Sequence, residues 1–92
     1  MITDLDVASI REVAAEHGAT RIRVFGSLAR GAARPDSDLD LLIDLQPGRD
    51  LLDLIAIKQD LEERLGRRVD VVTERSLSPY LRDQVLKEAV AI

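Results

Sequence analysis

The chain reads as an α/β (α+β) domain: a small three-stranded mixed sheet packed with about four helices. Three observations predict this. Apolar residues recur at helical spacing near both ends and in the middle of the chain, they alternate with period two in three short segments between, and the two kinds of segment follow one another along the sequence. A chain that alternates in this way buries its apolar faces by layering helices on a sheet.

The elements follow in order. Thr3 can cap a first helix with Asp6 three residues on, and Val7, Ile10, Val13, Ala14 and His17 keep helical spacing until Gly18. From Thr20 to Phe25 the period changes to two, with Ile22 and Val24 on one face and Arg21 and Arg23 on the other. Gly26 ends that strand and Ser27 starts a short helix, Leu28 to Ala33, closed by a turn at Arg34-Pro35-Asp36. A second strand, from about Asp38 to Leu45, points Leu39, Leu41, Ile43 and Leu45 one way and Asp38, Asp40, Leu42 and Asp44 the other. After Pro47-Gly48, Asp50 caps a helix whose stripe is Leu51, Leu54, Ile55, Leu61 and Leu65, ending at Gly66. A third strand runs from Arg68 to Thr73. Ser78 as cap and Pro79 at the first helical position then open a last helix with Leu81, Val85 and Ala89 inward. The long connection between the second and third strands allows a right-handed parallel crossover, and the shorter one between the first two favours an antiparallel pair.

Ninety-two residues, 46% of them hydrophobic, correspond to one domain spanning residues 1–92. Its core must be aliphatic, since Phe25 and Tyr80 are the sole aromatic residues. A formal charge of −4 argues against nucleic-acid binding, which draws its affinity from clustered Lys and Arg. Without cysteine there is neither a disulfide framework nor a thiolate metal site. No segment approaches the roughly 20 apolar residues of a membrane span, and residues 1–6 carry acids rather than a secretory signal. The expectation is a cytoplasmic protein with no membrane partner.

Chemistry is concentrated in three acids. Asp38 and Asp40 are two apart on a strand, so they leave one face with Cα atoms roughly 6.6 Å apart. Taken alone, the pair is better read as a solvated strand end, where acids are common. Asp70 interrupts the apolar run Val69, Val71, Val72 on the strand expected to lie parallel alongside; an edge position facing solvent is the alternative. Should the register bring the three together, hard oxygen ligands of this kind suit Mg²⁺ or Mn²⁺, and two ions roughly 3.5–4 Å apart would serve in-line phosphoryl chemistry. Gly26-Ser27, at the start of the expected short helix, offers backbone amides, a hydroxyl and a favourable helix terminus to a polyphosphate. An ordinary serine-capped turn has the same sequence. Arg30, one helical turn on, could reach a phosphate oxygen or remain a solvated surface arginine.

The stretch GSLARG (Gly26 to Gly31), then SDLDLLID (Ser37 to Asp44), then VDVV (Val69 to Val72) resembles the polymerase-beta-type nucleotidyltransferase superfamily, and in particular its minimal MNT-type members. The resemblance covers nearly the whole chain. It implies the nucleotidyltransferase fold and a Mg²⁺-dependent enzyme in which Asp38, Asp40 and Asp70 hold two metal ions, Mn²⁺ being a substitute, with Asp40 bridging them and Asp70 activating an acceptor hydroxyl. Gly26 and Ser27, with Arg30 beside them, would bind ATP or another nucleoside triphosphate. Larger members carry a second domain for the acceptor, absent here. Minimal members are typically antitoxins paired with a HEPN-domain toxin, and some transfer AMP to a tyrosine of that partner. The resemblance therefore implies protein adenylylation within an oligomer of the two proteins; the alternative is a nucleotide-binding antitoxin that neutralises its partner by contact alone.

Three further residues receive no catalytic role. His17 suits the C-terminal end of its helix, Tyr80 suits packing with a wet hydroxyl, and Asp44 lies roughly 20 Å along the strand from Asp38, where solvation or an arginine partner accounts for it.

Overall fold

The computed structural model describes residues 2–32, 34 and 37–92. Its elements are α1 (Asp4–Glu16), β1 (Ala19–Phe25), β2 (Leu39–Leu45), α2 (Leu51–Leu65), β3 (Val69–Val72), a 3₁₀ turn (Glu74–Ser76), α3 (Pro79–Glu88) and β4 (Val90–Ala91). The strands form one sheet in the order β3-β2-β1-β4. As the connection lengths require, β1 and β2 are antiparallel and β2 and β3 parallel.

Local signals fix the helix ends. Thr3 and Asp6 exchange reciprocal side-chain and backbone hydrogen bonds of 3.1 Å at the start of α1, and Asp50 and Asp53 form the same box at the start of α2. Gly66 ends α2 in the left-handed conformation. Ser78 occupies the cap position of α3 without a side-chain cap bond, so Pro79 alone carries that start.

One face of the sheet is sealed by α1 and α2. Ile10, Val13, Val24, Leu39, Leu41, Ile43, Ile57, Leu61 and Val69 form a single buried aliphatic cluster there. The α2 stripe is rotated from the expected one: Ile57 and Leu61 are its buried residues, whereas Leu51 and Ile55 are exposed. In α3, Val85 is buried and Leu81 is exposed.

The sheet has four strands where three were expected, and three α-helices with one 3₁₀ turn where about four helices were expected. Two local causes explain this. The last helix stops at Glu88, Ala89 turns extended, and Val90 and Ala91 pair antiparallel with Val24 and Arg23, supplying β1 with the backbone partners its free edge lacks. The expected helix after Ser27 is instead a run of turns from Gly26 to Gly31. Both glycines have positive φ, +73° and +71°, and the backbone closes through Arg30 N–H to Gly26 O (3.1 Å) and Ala32 N–H to Ser27 O (2.9 Å). Ala33, Pro35 and Asp36, the end of that segment and most of the expected turn, lie outside the described residues. The second strand begins at Leu39, so Asp38 lies just before it.

Arg23 departs most from the alternation pattern. Expected on an outer face, it is only 6% exposed, because β4 and the 3₁₀ turn border the side of the sheet it occupies. Its Nη2 donates to Glu74 Oε1 at 2.8 Å and lies 3.6 Å from Asp44 Oδ1, which gives Asp44 the arginine partner anticipated for it. A buried guanidinium requires such partners.

The Arg23 hydrogen bond, more than any other influence, holds the Glu74 carboxyl below its ordinary value. A depressed acid contributes stability above its unfolded pKa of about 4.3 and loses it as pH falls through the lower folded value. Glu74→Gln should therefore lower the melting temperature at neutral pH and flatten the acid limb of a melting-temperature profile between about pH 5 and pH 2. A variant profile parallel to that of the native chain would show that Glu74 does not couple protonation to folding.

Candidate active site

The site is built by register. Phe25 of β1 stands opposite Asp40 of β2, and Asp40 stands opposite Asp70 of β3, so one row across three strands carries both acids. Neighbouring strands lie about 4.8 Å apart, which sets the two carboxylates side by side. Asp38 enters just ahead of β2 and is fixed by its neighbours: Arg67 Nη2 donates to the Ser37 carbonyl, and Leu39 N–H donates to Arg68 O at 2.9 Å. Glu62 of α2 accepts from Val69 N–H at 3.1 Å and so ties β3 to the helix behind it.

The chain leaves β1 through Gly26, which is buried and has φ +73°. A Cβ placed there would fall on Asp40 Oδ2 and come within 3.1 Å of its Cγ. Glycine therefore lets the backbone turn directly over the Asp40 carboxylate, with the half-buried Ser27 next in line.

Asp40 is half-buried, and its carboxyl is pushed above its ordinary value, first by burial, then by the charges of Asp70 and Asp38. Arg30 opposes that rise and Glu88 adds to it. Acids pressed together in this way are relieved by a cation, and an all-oxygen donor set suits Mg²⁺ or Mn²⁺. The three residues thus fit a divalent metal.

They do not form the tightest acidic group. Among the described residues, the trio whose ligand atoms all lie within 4.8 Å of one another is Glu16, His17 and Asp60, with His17 Nε2 3.2 Å from Asp60 Oδ2. That group sits at the far end of β1, roughly 20 Å along the strand from Gly26. The three aspartates are instead placed by strand register, with Asp40 directly opposite Asp70.

Beside the acids, a groove of about 270 Å³ is lined by Asp38, Asp70, Val69 and Glu62 together with Lys58 and Arg68. Neither Lys58 nor Arg68 has a carboxylate within 4 Å among the described residues. Across the row from this groove, Arg30 Nη1 donates to Glu88 at the end of α3, 3.1 Å from Oε2 and 3.3 Å from Oε1.

A family model for the nucleotidyltransferase domain matches residues 7–92. The chain belongs to this family. A protein adenylyltransferase, MntA, of Thermococcus cleftensis is 38% identical over 97 residues, covering 100% of this chain and 98% of that protein. A solved structure described as a candidate minimal nucleotidyltransferase is 53% identical with a TM-score of 0.82, covering 100% of this chain and 97% of that one. Another, of a toxin–antitoxin with AMP-PNP, is 26% identical with a TM-score of 0.77, covering 91% of this chain and 69% of that one.

In this nucleotidyltransferase the structure gathers all six sequence candidates, Gly26, Ser27, Arg30, Asp38, Asp40 and Asp70, around one end of the β1–β2–β3 row. It replaces the helix terminus expected at Ser27 with a glycine-hinged turn, and it gives Arg30 a carboxylate partner. His17 caps α1 as expected and pairs with Asp60; Tyr80 is 94% exposed rather than packed. Lys58, Glu62, Arg68 and Glu88 were not singled out from sequence. The first three read as the wet face and exit of α2, and no local signal marks Glu88 without the β4 pairing that brings it home.

Gly26→Ala would combine a strained left-handed residue, costing about 1–2 kcal/mol, with displacement of the Asp40 carboxylate. The chain should lose roughly that much stability in urea denaturation yet lose nucleotide transfer almost entirely. Retention of more than half the native transfer rate would show that Asp40 tolerates the methyl group.

Proposed function

We propose that the chain transfers AMP from Mg-ATP to a hydroxyl of a protein partner, a tyrosine of a HEPN-type toxin, and so serves as the antitoxin of a two-protein pair in the cytoplasm. The observation that carries this reading is the convergence of Asp38, Asp40 and Asp70 next to the Gly26-Ser27 turn. The name of the T. cleftensis relative supports protein adenylylation, and the toxin–antitoxin structure with AMP-PNP supports both the nucleotide and the kind of partner.

Held by Asp38, Asp40 and Asp70, divalent ions would supply neutralisation of the charge that builds on the nucleotide phosphates. Asp40, half-buried beneath Gly26, fixes the centre of the site. Gly26 and Ser27 present backbone and hydroxyl donors to the phosphate tail, on the β1 side of the row. The acceptor then comes from the β3 side, along the groove that Asp38 and Asp70 share with Lys58 and Arg68. Asp70, exposed at that edge, takes up the proton of the attacking hydroxyl. The acceptor oxygen bonds to the α-phosphorus in line, the bond to the bridging oxygen breaks, and pyrophosphate leaves.

Mass analysis of the partner after incubation with the chain, Mg²⁺ and ATP should show addition of AMP. Asp38→Ala combined with Asp40→Ala should reduce the rate by roughly two orders of magnitude or more, with the circular-dichroism spectrum retained. Absence of transfer with every nucleoside triphosphate would remove the enzymatic reading of the pair.

Lys58→Glu with Arg68→Glu should lower transfer to the partner about tenfold through weaker encounter while leaving ATP affinity, measured by titration calorimetry, unchanged. Equal loss of ATP affinity would place the nucleotide, not the acceptor, in the groove.

A further inference from the structure

The register of β4 brings a carboxylate to the glycine turn. Val24 pairs with Val90 and Arg23 with Ala91, and Glu88, two residues before Val90, reaches Arg30 of the turn that follows β1. Glu88 is the last residue of α3, and its side chain is only 18% exposed. Both of its oxygens accept from one nitrogen of Arg30, Nη1. Among the described residues Nε and Nη2 of Arg30 make no hydrogen bond, and the Arg30 side chain is 51% exposed.

Without a partner, an arginine on a turn samples many rotamers, and ordering it on a ligand costs side-chain entropy. The Glu88 contact removes that freedom beforehand. It engages one corner of the guanidinium and leaves the rest directed outward, on the side of the row where Asp40 feels the charges of both Arg30 and Glu88. We propose that Glu88 is a positioning residue: it holds Arg30 over the Gly26–Gly31 turn so that the open donors of the guanidinium meet the phosphate tail of the nucleotide. β4 then has a role beyond closing the sheet edge, since it anchors the residue that orients Arg30. The inference rests on the nucleotide-binding reading of the turn.

The test is titration of the full chain with ATP and with AMP in the presence of Mg²⁺, for the native sequence and for Arg30→Ala, Glu88→Ala, Glu88→Gln and the Arg30→Ala/Glu88→Ala double variant, with a melting temperature for each. Glu88→Ala should weaken ATP binding about tenfold and AMP binding much less, because the tail beyond the α-phosphate is what Arg30 would touch. The double variant should bind ATP no more weakly than Arg30→Ala alone, as residues acting through one another are non-additive. Glu88→Gln, which keeps one carbonyl acceptor, should recover part of the loss. Unchanged or tighter ATP binding in Glu88→Ala, additive losses in the double variant, or equal losses for ATP and AMP would each overturn the positioning role. A native chain that binds ATP in none of these titrations would instead overturn the nucleotide reading itself, and this inference with it.

Discussion

The parallel pairing of β2 with β3 is the constraint on which the rest of the site depends. Parallel neighbours cannot be joined by a tight turn, so the chain must cross over through α2, and the crossover is what gives the domain its aliphatic core. The same pairing sets Leu39 opposite Val69 and Asp40 opposite Asp70. One register therefore buries the first pair against Ile57 and Leu61 and presents the second pair on the other face. A slip of a single residue would exchange the two faces, burying an aspartate and exposing a valine. The core fixes the register, and the register places the acids. The hydrogen bond from Val69 N–H to Glu62 adds a direct tie between α2 and the strand that carries Asp70.

Gathering like charges works against folding, and the molecule meets that cost locally. Asp40 carries it most visibly, its carboxyl raised by burial and by two neighbouring aspartates. Arg30 offsets part of the field, and Arg30 is in turn held by Glu88. On the same side of the sheet, a second buried charge, Arg23, is compensated by Glu74 and Asp44. The 3₁₀ turn supplies Glu74, β4 pairs with the backbone at Arg23, and so the two short elements that look incidental in the topology both border the charges on this face.

Much of this was legible in the sequence, and for identifiable reasons. Period-two alternation places Leu39, Leu41 and Ile43 on one face and Asp40 on the other whatever the neighbours do. Thr3 with Asp6, and Asp50 as a cap, announce helix starts through chemistry confined to a few residues. What escaped depends on contacts between distant segments. Val90 and Ala91 have no strand signature of their own and become β4 only because β1 offers an unpaired edge. Arg23 looks like a solvated residue until that strand and the 3₁₀ turn arrive beside it. The turn after Gly26 was read as helix because Leu28-Ala29-Arg30 favour one, whereas the flanking positive-φ glycines permit a tighter path. Ile57 was passed over in favour of Ile55, since a stripe on a 15-residue helix can be drawn at two rotations and only the sheet beneath selects one.

The same distinction separates the two strand acids from the charged residues around them. Asp40 and Asp70 are set by strand register, the most strongly specified geometry in the chain, and they would stand together even if the surface elements moved. Arg68, Arg30 and Glu88 are set by helix ends and turns, and Lys58 by the rotation of α2 on the sheet, where position depends on packing several segments at once. Around the two strand acids these residues form a rim. In this chain the rim is divided: Arg30 and Glu88 flank the row on the β1 side, and Lys58 and Arg68 flank it on the β3 side. In-line displacement puts the attacking and leaving groups on opposite sides of the phosphorus, and under the proposed function that division would serve the two. The order β3-β2-β1-β4 sets the acids between these two groups of charged residues within a sheet of four strands.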